Sequence, residues 1–262
     1  MSEEPKLLVT LENGIKRITF NRPKTRNSVD GETFELFNQA MVEAATDESR
    51  VIILTGAGES FCSGADLSSF GAMDVANYDV TTSLRERTNP AILAMRAMPK
   101  PIIARVHGPA AGIGCNYALA CDIIIASEQA YFAELFVRIG LMPDGGGTYF
   151  FPRMVGYQKA FELMALGEVV PAPEAARIGI ANKCVPLAEL DATVNAMAER
   201  LAAAPAIALA NIKAGLNHAL NSDLAGALEF EAVHQGDCFR SADFREGVTA
   251  FLQKRKPVFT GK

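Results

Sequence analysis

Phe132-Ala133-Glu134-Leu135-Phe136-Val137-Arg138-Ile139-Gly140-Leu141-Met142-Pro143-Asp144-Gly145-Gly146-Gly147-Thr148 sets one carboxylate, Asp144, between a proline and three glycines. Two more glycine-punctuated segments precede it. They are Ser60-Phe61-Cys62-Ser63-Gly64-Ala65-Asp66-Leu67 and His107-Gly108-Pro109-Ala110-Ala111-Gly112-Ile113-Gly114-Cys115-Asn116. Each of these follows an apolar run, Val51-Ile52-Ile53-Leu54-Thr55-Gly56 or Pro101-Ile102-Ile103-Ala104-Arg105-Val106, that reads as a strand. Glycine-rich turns after strands gather free backbone N–H groups, and Asp144 adds a single acid/base. The set points to proton chemistry at a carbonyl group.

Working outward, strand and helix alternate. Leu7 to Leu11 and Ile15 to Phe20 read as strands, and Asn13-Gly14 between them is a type I′ hairpin signal. Asn21 to Ser28 is a polar turn. Phe34, Phe37, Met41 and Ala44 recur at helical spacing over about 29 to 45. A helix over 90 to 98 is expected to begin at Asn89-Pro90 and end at Pro99. A helix over 113 to 121, a strand at Ile123 to Ala126, helices at 158 to 166 and 173 to 178, and a short strand at Lys183 to Val185 complete the series. This is an α/β pattern of stacked units. From Leu187 onward only helices follow: 187 to 204, 207 to 220, 224 to 240 and 244 to 255. Ser222 and Ser241 are candidate caps, and Lys254-Arg255-Lys256 lies on the last helix. We place the α/β core at 1–200 and a C-terminal helical region at 201–262. The segment around Phe70 to Arg87 is expected to shape a pocket.

The chain has 262 residues, of which 49% are hydrophobic, enough for one large core with a helical extension. A net charge of -5 argues against a general nucleic-acid surface. No run of about 18 apolar residues occurs, so no membrane span is expected. Met1 to Lys6 lacks the pattern of a signal peptide. Five scattered cysteines without a C-x-x-C are expected to be free, buried thiols of a cytoplasmic protein. The three histidines are far apart and form no metal-ligand spacing.

The residues leave alternatives open. An ordinary tight loop accounts for Ser63-Gly64-Ala65 as well as an N–H aimed into a pocket does. Gly112 and Gly114 open a helix, where free N–H groups and the positive end of the dipole converge. They would also serve close strand–helix packing. Asp144 is either a cap or Asx-turn for the next helix, or a general base raised by an apolar setting from Phe132, Phe136, Leu141 and Met142.

Taken together, several phrases resemble the enoyl-CoA hydratase/isomerase (crotonase) superfamily over nearly the whole chain. These are Asn21-Arg22-Pro23-Lys24, Ser63-Gly64-Ala65-Asp66-Leu67, His107-Gly108 through Cys121-Asp122-Ile123, Pro143 through Gly146-Gly147-Thr148, and Phe244 through Arg255. The resemblance implies a crotonase-like spiral of ββα units with a helical trimerisation region, assembled as trimers or as hexamers built from two trimers. It implies an acyl-CoA thioester as substrate, with its oxygen held by the backbone N–H groups of Ala65 and Ile113. Lys24, Arg26, Ser63, Asp66 and Leu67 match the family's coenzyme A surface. Phe251 and Lys254 match a contact to the adenine end, often made across a subunit boundary.

Two departures narrow the chemistry. Hydratases of the family use two glutamates, and their positions are Asn116 and Phe136 here; neither is a carboxylate. With Leu141, these two are expected to line the acyl pocket. Glu134 lies two residues off the catalytic register. Asp144 matches isomerase-type members. Ile139 to Thr148, with Asn116 and the tail Pro257 to Lys262, is similar to the branch that isomerises 1,2-epoxyphenylacetyl-CoA. The resemblance implies an isomerase with Asp144 as its one acid/base, needing no metal and no cofactor beyond the coenzyme A of its substrate. A hydratase using Glu134 or Asp144, and an acyl-CoA-binding scaffold without turnover, are the other readings.

Overall fold

The computed structural model describes residues 4–71 and 77–262. Leu7–Glu12 (β1) and Ile15–Phe20 (β2) form an antiparallel hairpin with Glu12 opposite Ile15. Asn13 and Gly14 both have positive φ, as a type I′ turn requires. Gly31–Thr46 is α1, capped by the Asp30 carboxylate, which accepts from Thr33 N–H; Val51–Gly56 is β3. Val80–Ser83 (α2) and Asn89–Ala97 (α3) follow, then Ile102–Val106 (β4), Pro109–Ala111 (β5), Ile113–Leu119 (α4), Ile123–Ser127 (β6) and Tyr131–Ala133 (β7). Gly147–Val155 (α5), Tyr157–Leu166 (α6), Val169–Pro171 (β8), Ala172–Arg177 (α7) and Lys183–Val185 (β9) complete the α/β part. Leu187–Ala202 (α8), Ala206–Ala219 (α9), Leu224–Arg240 (α10) and Ala242–Leu252 (α11) end the chain.

The large sheet runs β1-β2-β3-β4-β6-β9, parallel throughout after the first hairpin. A small sheet runs β5-β7-β8. From β4 the chain steps into β5 and then α4; from β6 it steps into β7. After β3, Cys62 bridges Ala110 of β5 in the same way. Each circuit therefore lays one strand in the large sheet and a shorter one in the second layer, the expected spiral of ββα units.

Both faces of the large sheet are covered, which is why its strands are apolar without interruption. Ile52 and Leu54 face a core shared with Phe37 and Met41 of α1, Met95 of α3 and Tyr117 of α4. Val51 and Ile53 face the other way, onto Leu190, Val194 and Ala198 of α8. The period of two in β3 thus meets a period of four along α8. No helix among the described residues is long and apolar enough to cross a membrane.

Several sequence expectations are corrected. The helix expected from Asn89 is present as α3, but it is not a fresh start of the chain into helix: α2 and a π-helical turn at Leu84–Thr88 run straight into it. Pro90 has no N–H, and a widened turn before it absorbs the missing bond. Asp223, not Ser222, caps α10, accepting from Gly226 N–H at 2.8 Å. Ser241 does cap α11, its Oγ accepting from Phe244 N–H. The last helix stops at Leu252, so Lys254-Arg255-Lys256 lies beyond it, and Arg255 is tied to Glu246 by two bonds. Cys62, Cys115 and Cys121 are buried free thiols, but Cys184 and Cys238 are half-buried. Of the segment expected to shape the pocket, 72–76 lie outside the described residues.

Candidate active site

The segment after β3 is held from both sides. Val29 N–H donates to Gly64 O at 2.8 Å and Asp66 N–H to Val29 O at 2.9 Å. In such a parallel bridge the N–H of the residue between, Ala65, points away from its partner strand. It makes no backbone hydrogen bond among the described residues. Gly64 has φ +102°, and a Cβ there would lie 2.9 Å from Ala111 O. Only glycine allows this turn and this approach.

The facing segment is built the same way. Gly112 N–H donates to Ala133 O of β7 at 2.9 Å, and Gly112 takes φ +52°, ψ −129°, a region reserved for glycine. Ile113 then opens α4, so its N–H has no acceptor within the helix. A Cβ on Gly112 would lie 3.8 Å from Gly64 Cα and 3.9 Å from the Phe136 ring. The two glycine segments therefore meet backbone to backbone. The unbonded N–H groups of Ala65 and Ile113 flank that meeting point, with Phe136 as a wall.

The Asp144 loop closes onto the first turn of α4. Gly145 rests on the side chains of Ile113 and Asn116. The Asn116 amide is fully buried and donates from Nδ2 to Asp144 O at 2.8 Å. Asp144 caps nothing with its side chain: α5 begins at a glycine N-cap without a side-chain bond, and it is Asp144 O that accepts from Gly147 N–H. Its carboxylate is left without a hydrogen-bond donor among the described residues, and burial pushes its pKa up to about 6. Its apolar setting is not the expected one. Leu141 and Met142 are exposed, Phe132 belongs to the deep core, and Phe136 stands against Gly112.

Glu134 was set aside by motif register, yet the structure puts it in this cluster. It is 1% exposed at the end of β7. Burial first, and then the Asp144 charge, push its pKa up to about 8, partly offset by the Asn116 amide and the Cys115 thiol beside it. The signal available in the sequence was its place one residue beyond an apolar Tyr131-Phe132-Ala133 run.

The expected coenzyme A residues fall into two groups. Pro23–Thr25 forms a 3-10 turn that exposes Lys24 and Arg26, neither with an ion pair among the described residues. Ser63 ties this turn to the Ala65 segment, N–H to Arg26 O at 3.0 Å and Oγ to Thr25 O at 3.2 Å. Leu67 is exposed beside them. Asp66 is already engaged: the Ser68 hydroxyl and the Arg22 guanidinium, at 2.6 and 2.8 Å, hold its carboxyl below the usual range. Arg22 also donates to Ser28 O and faces Asp30, and the buried Asn27 amide donates to Ala57 O and Ser60 O. These two side chains fix the loop, a task their place in a polar turn did not reveal. Phe251 and Lys254 are not brought to the site within one chain: α11 packs on α10 and on the tail, where Asp243 accepts from Thr260 and Gly261 N–H.

Two free N–H groups beside one raised carboxylate can stabilise an enolate and move a proton. The comparisons with known proteins place the chain in a family. The enoyl-CoA hydratase/isomerase family model matches residues 10–262. A protein of Rhodobacter capsulatus called "Probable enoyl-CoA hydratase" is 42% identical over 252 residues, covering 96% of each chain. The 1,2-epoxyphenylacetyl-CoA isomerase of Escherichia coli is 37% identical over 258 residues, covering 98% of each. The crystal structure of an enoyl-CoA hydratase from Bacillus anthracis superposes with a TM-score of 0.93 at 30% identity, covering 98% of this chain and 100% of that one. The fold is the crotonase fold, and the chain belongs to the enoyl-CoA hydratase/isomerase family.

Proposed function

We propose that this enzyme is an acyl-CoA isomerase with one acid/base. The observation that carries the reading is the Asp144 carboxylate, unbonded and raised to about 6, on a loop seated against the Ile113 turn. Asp144 takes the proton from the carbon next to the thioester. The carbonyl oxygen becomes an enolate oxygen held by the N–H groups of Ala65 and Ile113. The double bond moves from the 3- to the 2-position, and protonated Asp144 returns the proton two carbons along. With a 1,2-epoxyphenylacetyl thioester, the same enolate-stabilising site favours ring expansion to an oxepin, a step of phenylacetate rather than fatty-acid breakdown. Asn116 and Phe136 stand where hydratases of the family carry glutamates, which speaks against ordinary water addition.

Lys24 and Arg26, exposed and without an ion pair among the described residues, are suited to coenzyme A phosphates, with Ser63, Asp66 and Leu67 along the pantetheine. Residues 201–262 form the assembly region of a cytoplasmic homotrimer or hexamer, where Phe251 and Lys254 of one protomer meet the adenine end bound to another. A second reading is hydration of 2-enoyl-CoA, favoured by the buried second carboxyl group of Glu134.

The test is isomerisation of 3-hexenoyl-CoA by wild type and Asp144→Asn, with crotonyl-CoA hydration in parallel. Loss of a general base is expected to lower kcat by about 10²–10⁴-fold. Full activity in the variant, or dominant hydration, sinks the isomerase reading.

A further inference from the structure

Glu134 has no role in the reaction just described, yet it is a buried acid beside the reacting groups. Both of its carboxyl oxygens are shut off from solvent, and no group among the described residues meets them at hydrogen-bond geometry, although the Asn116 amide and the Cys115 thiol lie alongside. The titratable groups facing it are Asp144, from the loop before α5, and Cys115, from α4; neither is a cation. A charged carboxylate in that place would meet no cation, and the Asn116 amide and the Cys115 thiol offset only part of its burial, so the neutral acid is the form that fits. One step away is a second orphan. Asn116 uses Nδ2 on Asp144 O, but its Oδ1 is buried and receives no donor. An amide beside a carboxyl group, each lacking a partner, is satisfied by a single proton.

We propose that Glu134 is a positioning residue: a neutral carboxylic acid whose O–H donates to Asn116 Oδ1, so that Asn116 in turn holds the backbone of Asp144. The chain of bonds runs Glu134 O–H to Asn116 Oδ1, then Asn116 Nδ2–H to Asp144 O. It ends on the residue that carries the base, and it rests on the reading of Asp144 as that base. A buried acid kept neutral so that it can donate is an established device of enolate-forming sites.

The order of titration follows. Asp144 ionises first, with a pKa of about 6. Glu134 ionises second, near 8, because it is buried and does so next to a carboxylate already charged. The working form is the monoanion, Asp144 charged and Glu134 neutral. When pH passes about 8, Glu134 becomes an acceptor, Asn116 Oδ1 loses its donor, and the loop is released. The rate therefore falls again on the alkaline side.

Two readouts test this on the intact protein. Infrared difference spectra of wild type against Glu134→Gln are expected to show a protonated-carboxyl C=O band at pH 7 that is absent from the variant. That band should move to higher frequency in Asn116→Leu, where the O–H has lost its acceptor. In the pH–rate profile for 3-hexenoyl-CoA, Glu134→Gln loses the alkaline limb and keeps the acid limb of Asp144. Glu134→Leu, which cannot donate, falls below Glu134→Gln by about 10²-fold in kcat, with KM little changed. A missing band, a band that survives in Glu134→Gln, or an alkaline limb that persists there overturns the proposal. If the band behaves as expected but wild type does not isomerise, the Glu134–Asn116 link stands and the role given to Asp144 falls.

Discussion

Asp144 and Glu134 show how far one functional group is moved by its surroundings. Half-burial without a donor takes the aspartate to about 6; full burial beside that aspartate takes the glutamate to about 8. The first shift has a cost in stability. Between about pH 4 and 6 the native state holds a proton on Asp144 that the unfolded chain has released, so stability falls as pH rises through that window. Above it the penalty is complete, on the order of 3 kcal/mol. Asp144→Asn removes it. We expect the variant to melt higher than wild type at pH 7.5 and at the same temperature at pH 4, read by calorimetry. Equal melting at both values would mean that Asp144 is not desolvated. Gly64→Ala probes the oxyanion donor, because its Cβ meets Ala111 O at a φ that alanine resists. Misdirecting one N–H is expected to lower kcat by about 10²–10³-fold while the fold survives, checked by circular dichroism beside the assay. Asn116 and Phe136 were readable as lost carboxylates because motif spacing fixes their register. Glu134 was not, because the way it faces is decided by β7, a strand of three residues with no period to read.

At the scale of elements, periodicity found what long elements make visible. β2, β3, β4, β6 and α8 through α10 stand within a few residues of their expected bounds, since each repeats its buried face several times. The small sheet was invisible. β5, β7 and β8 have three residues each, too short for alternation to separate strand from turn. α5 was hidden for another reason: it starts in glycines and contains Pro152, both poor helix formers, and is held by packing through Phe150 and Phe151. The small sheet is nonetheless what assembles the site. β7 receives the Gly112 bond through Ala133 O and delivers Glu134. α8 offers the cleaner energetic test, as it seals one face of the large sheet far from the reacting groups. Leu190 is fully buried there against β3, β4 and β6. Leu190→Ala should cost about 2–5 kcal/mol in urea unfolding, with kcat near wild type. A loss of activity without a loss of stability would mean that α8 reaches the site by some route other than packing.

The C-terminal third of a single chain leaves many large apolar side chains exposed. α10 is 17 residues long and none of them is buried. Leu224, Leu228, Val233 and Phe239 are exposed along it, and Ile212, Leu216 and Leu220 along α9. At the end of α11, Phe251 is 83% exposed, three residues before Lys254, which has no ion pair among the described residues. Large apolar patches on a surface mark interaction sites, and α9 to α11 carry many such exposed side chains. α10 packs chiefly on its neighbours α9 and α11, which does not bury its remaining apolar side chains. A second copy of the chain is the occupant we propose, because Phe251 and Lys254, proposed for the adenine end, lie on a helix packed on α10 rather than on the Lys24–Arg26 turn. Assembly and substrate affinity should therefore fail together. Wild type is expected to scatter light as a trimer or hexamer, and Leu228→Glu to shift toward monomer, with a rise in KM for the coenzyme A thioester larger than its change in kcat. If Leu228→Glu becomes monomeric and KM stays fixed, the adenine end is bound within one chain, and Phe251 serves assembly alone. A wild type already monomeric at micromolar concentration would remove the assembly itself, and the exposed face of α10 would then need a different partner.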